Sequence, residues 1–199
     1  MATIIEQLQT LQLQSSSRYR KGKEFTHSSL HPQTGSYYLE PYGASIFMEA
    51  YCNAIYNDNI VVGVMEKFSN SSPIIIDIDL RRDYDEDDTN EIEPLYSYND
   101  LTAVVRIFFT IFETLLPNLE DEELMCVITE KDPYVDGNRI KHGFHVQFPF
   151  IVLEIVDQLN HLYPLLKEKI NEHFREEVFD DGILKGSWLL YGSSKPGKD

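Results

Sequence analysis

The segment PIIIDIDLR (73–81) carries Asp77 and Asp79 two residues apart, at the end of an isoleucine run. In a strand, successive side chains point to opposite faces, so the two carboxylates share one face and Ile76 and Ile78 the other. The pair stands about 7 Å apart at the backbone, close enough to share hard divalent cations. An acid-x-acid pair alone is weak, because a chain this acidic holds about five by composition. The three isoleucines before Asp77 strengthen it: they put the carboxylates where a buried strand surfaces, and an unpaired carboxylate there is costly. The competing reading is an edge strand turning outward to solvent.

A second segment, RIKHGFHVQFPF (139–150), sorts its side chains in the same way. Phe144, Val146 and Phe148 line one face; Lys141, Gly143, His145 and Gln147 line the other. That polar stripe suits a phosphate, with Lys141 as point charge, Gly143 allowing close approach and His145 as hydrogen-bond donor. His142 falls on the apolar parity and reads as structural. A third segment, VFDDGILKGSWLLYGSSKPGK, has adjacent acids, Asp180 and Asp181, before a strand and a Ser193-Ser194-Lys195 turn after it. Taken alone it reads equally well as a turn at each end of a strand.

The three segments together are the equipment of metal-assisted phosphoryl transfer. Two cations would be held by Asp77, Asp79 and a third carboxylate, and a triphosphate by Lys141, His145 and Lys195. The chain has no G-x-x-x-x-G-K-[ST] loop, which excludes a P-loop ATPase. No Ser-His-Asp or Cys-His grouping stands out.

The elements that must position these residues are legible in outline. Residues 2–14 have helical apolar spacing, and 15–35 is polar and turn-rich. GSYYLEP reads as a short strand, and ASIFMEAYCNAIYN as a helix ended by Asn57-Asp58-Asn59. IVVGVMEKF and PIIIDIDLR read as strands around the turn SNSSP. Asn99 or Asp100 is expected to cap an apolar helix that Pro117 stops. LMCVITEK is a strand, DPYVDGN a turn and RIKHGFHVQFPF a strand. Residues 151–174 are predicted as one long helix, kinked near Pro164, and GSWLLYGSS as a last strand and turn. Strands and helices mix without βαβ alternation, which favours an α+β sheet with helices packed on it.

The chain has 199 residues and a formal net charge of −16. Such acidity argues against tight, non-specific coating of duplex DNA but permits a carboxylate metal site and a local basic groove. Seven acids without a base crowd residues 83–93, and four bases without an acid lie in RYRKGK (18–23). Both runs read as solvated surface. No apolar run is long enough to cross a membrane, and the first residues lack the basic and small-residue features of a secretory signal. Cys52 and Cys126 are far apart and suggest no disulfide framework, so an intracellular compartment is expected.

The order of motifs resembles the archaeo-eukaryotic primases, in which an apolar strand ending Asp-x-Asp or Asp-x-Glu precedes a small-x-His strand and a third acid. The matching segments are IIIDIDLR, KHGFH and FDDGILKGSWLLYGSSK. In particular, GFHVQFP, WLLYGSSKP and FTHSSLHPQTGSYYLEP are similar to segments in the primase part of primase-helicases of nucleocytoplasmic large DNA viruses. The resemblance covers roughly residues 25–197, and it divides the chain into an N-terminal helix and basic segment (1–24) and a primase core (25–199).

The resemblance implies an RRM-like palm, an antiparallel sheet flanked by helices, joined to a smaller N-terminal α/β unit. It implies primer synthesis on single-stranded DNA from nucleoside triphosphates with Mg²⁺ or Mn²⁺, at sites of viral or mobile-element DNA replication. Asp77 and Asp79 would bind metal, and His145 the incoming triphosphate, with Gly143 where relatives often have Ser. Ser193 and Lys195 match a turn that contacts the nucleotide. Leu189 replaces an Arg found in some relatives, so that contact is absent or moved to Lys185. The third acid precedes a Val-Tyr-like pair by three residues in viral relatives; Ile183-Leu184 matches that pair, which selects Asp180 over Asp181. Relatives usually continue into a superfamily-3 helicase, so a C-terminal helicase domain is expected in the full-length chain. The rival readings are a two-metal nuclease, which needs no triphosphate site, and a non-catalytic single-stranded DNA-binding or origin-recognition module.

Overall fold

The computed structural model describes residues 3–10, 25–84 and 92–196. The basic segment 18–23 and most of the acidic run 83–93 lie outside the described residues. The chain divides into two compact units, one of residues 1–69 and 185–199, the other of residues 70–184. The mixture of helices and two antiparallel sheets is α+β, compatible with a palm. No helix among the described residues is long and apolar enough to cross a membrane.

The first unit begins with helix α1 (4–10), whose Ile4 and Leu8 are fully buried. Strands β1 (His27–His31), β2 (Gly35–Tyr37) and β3 (Gly63–Glu66) follow, with helix α2 (Pro41–Tyr56) between β2 and β3. The unit's core joins Ile4 and Leu8 to Tyr37, Phe47, Tyr51, Val62 and Val64. Strand β1 corrects the expectation of a polar turn region. Its single large aliphatic, Leu30, gives no apolar alternation, and the strand is held instead by pairing to β2 and β3 and by buried Ser29, hydrogen-bonded to Tyr37.

The second unit is a four-stranded antiparallel sheet in the order β5-β6-β4-β7. Strand β4 (Ser71–Asp83) and β6 (Arg139–Glu154) are its long central pair, β5 (Val127–Asp136) and β7 (Phe179–Asp180) its edges. Ile76, Ile78, Phe144, Val146 and Phe148 are almost wholly buried on one face. Helix α3 (Tyr98–Leu115) buries Leu101, Val104, Phe108, Ile111 and Phe112, at helical spacing. Phe108 and Phe112 pack on Phe148 with ring centroids 4.9 and 5.0 Å apart. Each such buried side chain contributes about 1.5–3 kcal/mol.

Four boundaries differ from the sequence expectations. The cap of α3 is Ser97, not Asn99 or Asp100; Asp100 sits three residues on and closes a capping box. β5 runs through DPYV to Asp136, because a register shift between Lys131 and Tyr134 absorbs Asp132-Pro133 as a bulge. β6 continues to Glu154, past a register shift at Pro149, whose missing N–H cannot serve a regular ladder. The helical segment therefore starts only at α4 (Ile155–Asp157), passes through a π turn (Gln158–Leu162) and resumes as α5 (Tyr163–Phe174). Pro164 cannot donate to Asn160, and the N–H of Tyr163 reaches back five residues to the carbonyl of Gln158.

Strand β8 (Trp188–Leu189) pairs with β3, so the first unit is built from both ends of the chain rather than from an N-terminal segment alone.

Candidate active site on the four-stranded sheet

The register of the second unit's sheet decides which side chains meet. Asp77 pairs with His145 on β6 and with Asp180 on β7, and His145 pairs with Thr129 on β5. Cross-strand partners share a face. One row across four strands therefore reads Asp180, Asp77, His145, Thr129. The next row is Asp79, Gly143, Lys131, and the one after it Arg81, Lys141, Tyr134. All stand on the face opposite α3.

Within the first row, His145 Nε2 lies 3.4 Å from Asp77 Oδ1. Asp180 Oδ1 accepts the N–H of Gly182 at 2.8 Å, which ties the carboxylate to the turn after β7. Asp181 points the other way, its Oδ2 3.4 Å from Lys167 Nζ on α5. In the second row Asp79 Oδ2 meets Arg81 at 3.4 Å. A Cβ on Gly143 would stand 2.4 Å from the carbonyl of Ile78 and 3.0 Å from Asp79 Oδ1. A side chain at Gly143 would thus be crowded from within the sheet, first by the Ile78 carbonyl and then by Asp79. Asp79, Arg81, Asp180 and residues 176–179 line an open cleft of about 340 Å³ beside this row.

The donor set suits hard divalent cations: three carboxylates on one face, two of them directly opposite each other. Among the described residues no three His, Cys, Asp or Glu side chains are already drawn together as a metal cluster. Asp77, Asp79 and Asp180 instead rest on His145, Arg81 and Gly182.

Lys141 is ion-paired with Asp136 of the same hairpin. His142 is buried as expected, accepting the N–H of Leu95 and stacking on Tyr96 with centroids 4.0 Å apart. Burial lowers its pKa, partly offset by Glu130 and Asp132. Beneath the row, Tyr163 donates to the carbonyl of Ile75; burial pushes its hydroxyl pKa above the usual range, with Asp180 adding to the shift.

Ser193 and Lys195 belong to the first unit. The hydroxyl of Ser193 is engaged there, accepting from the N–H of Val64 and bonded to the Tyr51 hydroxyl, 2.9 and 2.8 Å away. Gly192 takes φ +82° to make the turn, and Lys195 is exposed beyond it. Three residues of the sheet face escaped the sequence reading. Arg81 continues the Asp77, Asp79 parity by one step and was within reach of it. Lys131 and Tyr134 were hidden because the bulge between them breaks the alternation of β5.

The comparisons with known proteins bear on the family of the chain. A family model described as "C962R protein N-terminal AEP domain" matches residues 26–199. The chain is 30% identical over 187 residues to "Putative helicase 121R" of Invertebrate iridescent virus 3, covering 86% of this chain. It is 28% identical over 201 residues to "Putative helicase 184R" of Invertebrate iridescent virus 6, covering 87% of this chain. The chain spans 20% of the length of each of these relatives. With the family matched over nearly the whole chain, the protein belongs to the archaeo-eukaryotic primase-type domains found in viral primase-helicases.

Proposed function

We propose that this domain synthesises primers on single-stranded DNA from nucleoside triphosphates by two-metal nucleotidyl transfer. The observation that supports it most is the row Asp180, Asp77, His145 with Asp79 one step away, all on one face of the sheet. Asp77, Asp79 and Asp180 are read as the holders of Mg²⁺ or Mn²⁺. Bound there, the ions would neutralise charge developing on the phosphoryl oxygens and activate the attacking hydroxyl. His145 stands beside the carboxylates, where its ring N–H can donate to a phosphate oxygen of the incoming nucleotide. Lys195 is proposed as a further nucleotide contact on the strength of its motif alone.

The relatives' names point to a helicase in the same polypeptide, and we propose that the domain works joined to one during viral DNA replication. The deciding experiment is de novo synthesis on single-stranded DNA with labelled nucleotides, with and without Mn²⁺. Labelled product that requires metal supports the reading. Metal-dependent degradation of the template without product would replace it with a nuclease, and DNA binding with neither would make it a recognition module.

A further inference from the structure

Beyond the carboxylates, the same sheet face carries a strip of a different character. Arg81 and Lys141 stand directly opposite each other on β4 and β6, and Lys131 lies one row away on β5. Like charges directly opposed on neighbouring strands repel. Here the repulsion is relieved by a carboxylate on each side: Asp79 for Arg81 and Asp136 for Lys141. Tyr134 lies next to Lys141 in the register, and Lys131 Nζ stands 4.7 Å from the centre of its ring. The bulge at Asp132-Pro133 is what brings Tyr134 onto this face. Farther along the hairpin Arg139 lies 3.8 Å from Asp83.

A partly exposed sheet face that offers cations from three strands beside a flat aromatic ring has two things a nucleic-acid strand needs. The cations meet backbone phosphates, and the ring stacks a base without regard to sequence. A phosphate lodged between Arg81 and Lys141 would replace two separate carboxylates with one shared anion. Occupation of Asp79 by a metal ion would release Arg81 for that role. A free triphosphate could use the cations, but it would have to reach past Asp79 and Gly143 from the carboxylate row to do so. The adjacency of ring and cations favours a strand running down the sheet.

We propose that Lys131, Tyr134, Lys141 and Arg81 form a single-strand binding strip that lays the template alongside the carboxylates. Lys141, expected from sequence to hold the triphosphate, belongs to this strip. The assignment rests on the reading of the carboxylate row as the catalytic centre.

The test is fluorescence anisotropy of the 199-residue chain with a labelled oligothymidine, without metal or nucleotide, over a salt series. A parallel titration uses a fluorescent ATP analogue with Mn²⁺. Tyr134→Ala should weaken oligonucleotide binding about tenfold, and Tyr134→Phe, which keeps the ring, should not. Lys131→Ala should lower the salt dependence by about 0.7, the share of one phosphate contact on a single strand. Both variants should bind the ATP analogue as the parent does. Unchanged oligonucleotide binding in Tyr134→Ala and Lys131→Ala overturns the strip, and so does a loss confined to the ATP analogue. Primer synthesis separates this idea from the one beneath it. A parent that synthesises primers while its DNA binding ignores the strip defeats only the strip. A parent that binds DNA through Tyr134 but makes no primer defeats only the catalytic reading.

Discussion

Asp180 stands directly opposite Asp77 across the antiparallel β4–β7 pair, while its neighbour Asp181 faces Lys167 on α5. β7 ends at Asp180, and Asp181 lies in the turn that follows it, outside the β4–β7 pairing. The register therefore puts one carboxylate beside Asp77 and spends the other on a surface ion pair.

From that geometry Asp180→Ala should abolish primer synthesis and Mn²⁺ binding. Asp181→Ala gives up an exposed pair worth about 0–1 kcal/mol and should stay within about twofold of the parent. Synthesis assays of both variants check it. The reverse pattern moves the third ligand to Asp181, and activity surviving in the double variant removes the third ligand.

Asp77→Asn and Asp79→Asn each delete a ligand charge while keeping size. Synthesis should fall by at least about a hundredfold in each, because charge neutralisation by metal carries the reaction. The fold should not suffer, since each change also removes mutual repulsion among the carboxylates. The check is thermal: Mg²⁺ should raise the melting temperature of the parent by binding the native state, and should leave the two variants unmoved. Parent-like synthesis by both would end the metal assignment.

How much of this the sequence disclosed follows from which patterns are local. The alternation in IIIDID and in GFHVQF shows a period of two, and it correctly set Asp77 with Asp79 on one face and Phe144 with Val146 on the other. The meeting of His145 with Asp77 was not legible, because it depends on the register between strands more than 60 residues apart. β7 is two residues long and β1 holds one large aliphatic, so neither has a pattern to read. Ile151-Val152-Leu153 reads as easily in a helix as in a strand, and the pairing of β6 with Ser71–Pro73 settles it as strand. The return of Trp188 to β3 is a long-range choice with no local mark.

His145→Ala should weaken binding of the nucleotide analogue several-fold more than binding of oligothymidine. The ring lies against the carboxylate row, away from the strip of Tyr134 and Lys141. Titrating the variant with each ligand separates the two losses. A defect in DNA binding alone would place His145 on the template.

Gly143→Ser should be harmful. Its Cβ would meet the backbone carbonyl of Ile78, which cannot swing aside, and then Asp79 Oδ1. Overpacking of this kind costs about 1–3 kcal/mol. The displaced Asp79 should also weaken Mn²⁺ binding. Urea unfolding and a Mn²⁺ titration measure both, and a variant as stable and as metal-avid as the parent would show that β4 and β6 yield more readily than their register implies.

The last prediction concerns stability and pH in the first unit. His27 and Glu66 face each other across β1 and β3. The His27 ring packs 6.0 Å from that of Phe47, and burial lowers its pKa from 6.5 to about 4. Burial raises that of Glu66. The unfolded chain therefore binds a proton at His27 before the folded one does, and His27's contribution to stability is complete above about pH 6.5 and lost as pH falls toward 4. Glu66 works in the opposite sense: its folded form holds the proton to higher pH, so its contribution grows as pH falls and disappears as pH rises through its raised pKa. In the upper half of the His27 window the histidine should dominate. The slope there is at most about 1.4 kcal/mol per pH unit, and smaller because His27 is only partly buried. His142 in the second unit shifts in the same direction, so some slope persists without His27. His27→Gln should flatten the fall in urea stability between about pH 7 and pH 5 relative to the parent, and Glu66→Gln should steepen the fall at the acid end of the range. Parallel profiles for parent and His27→Gln would mean that the ring is protonated as easily folded as unfolded, and that the β1–β3 pair takes up the charge through Glu66.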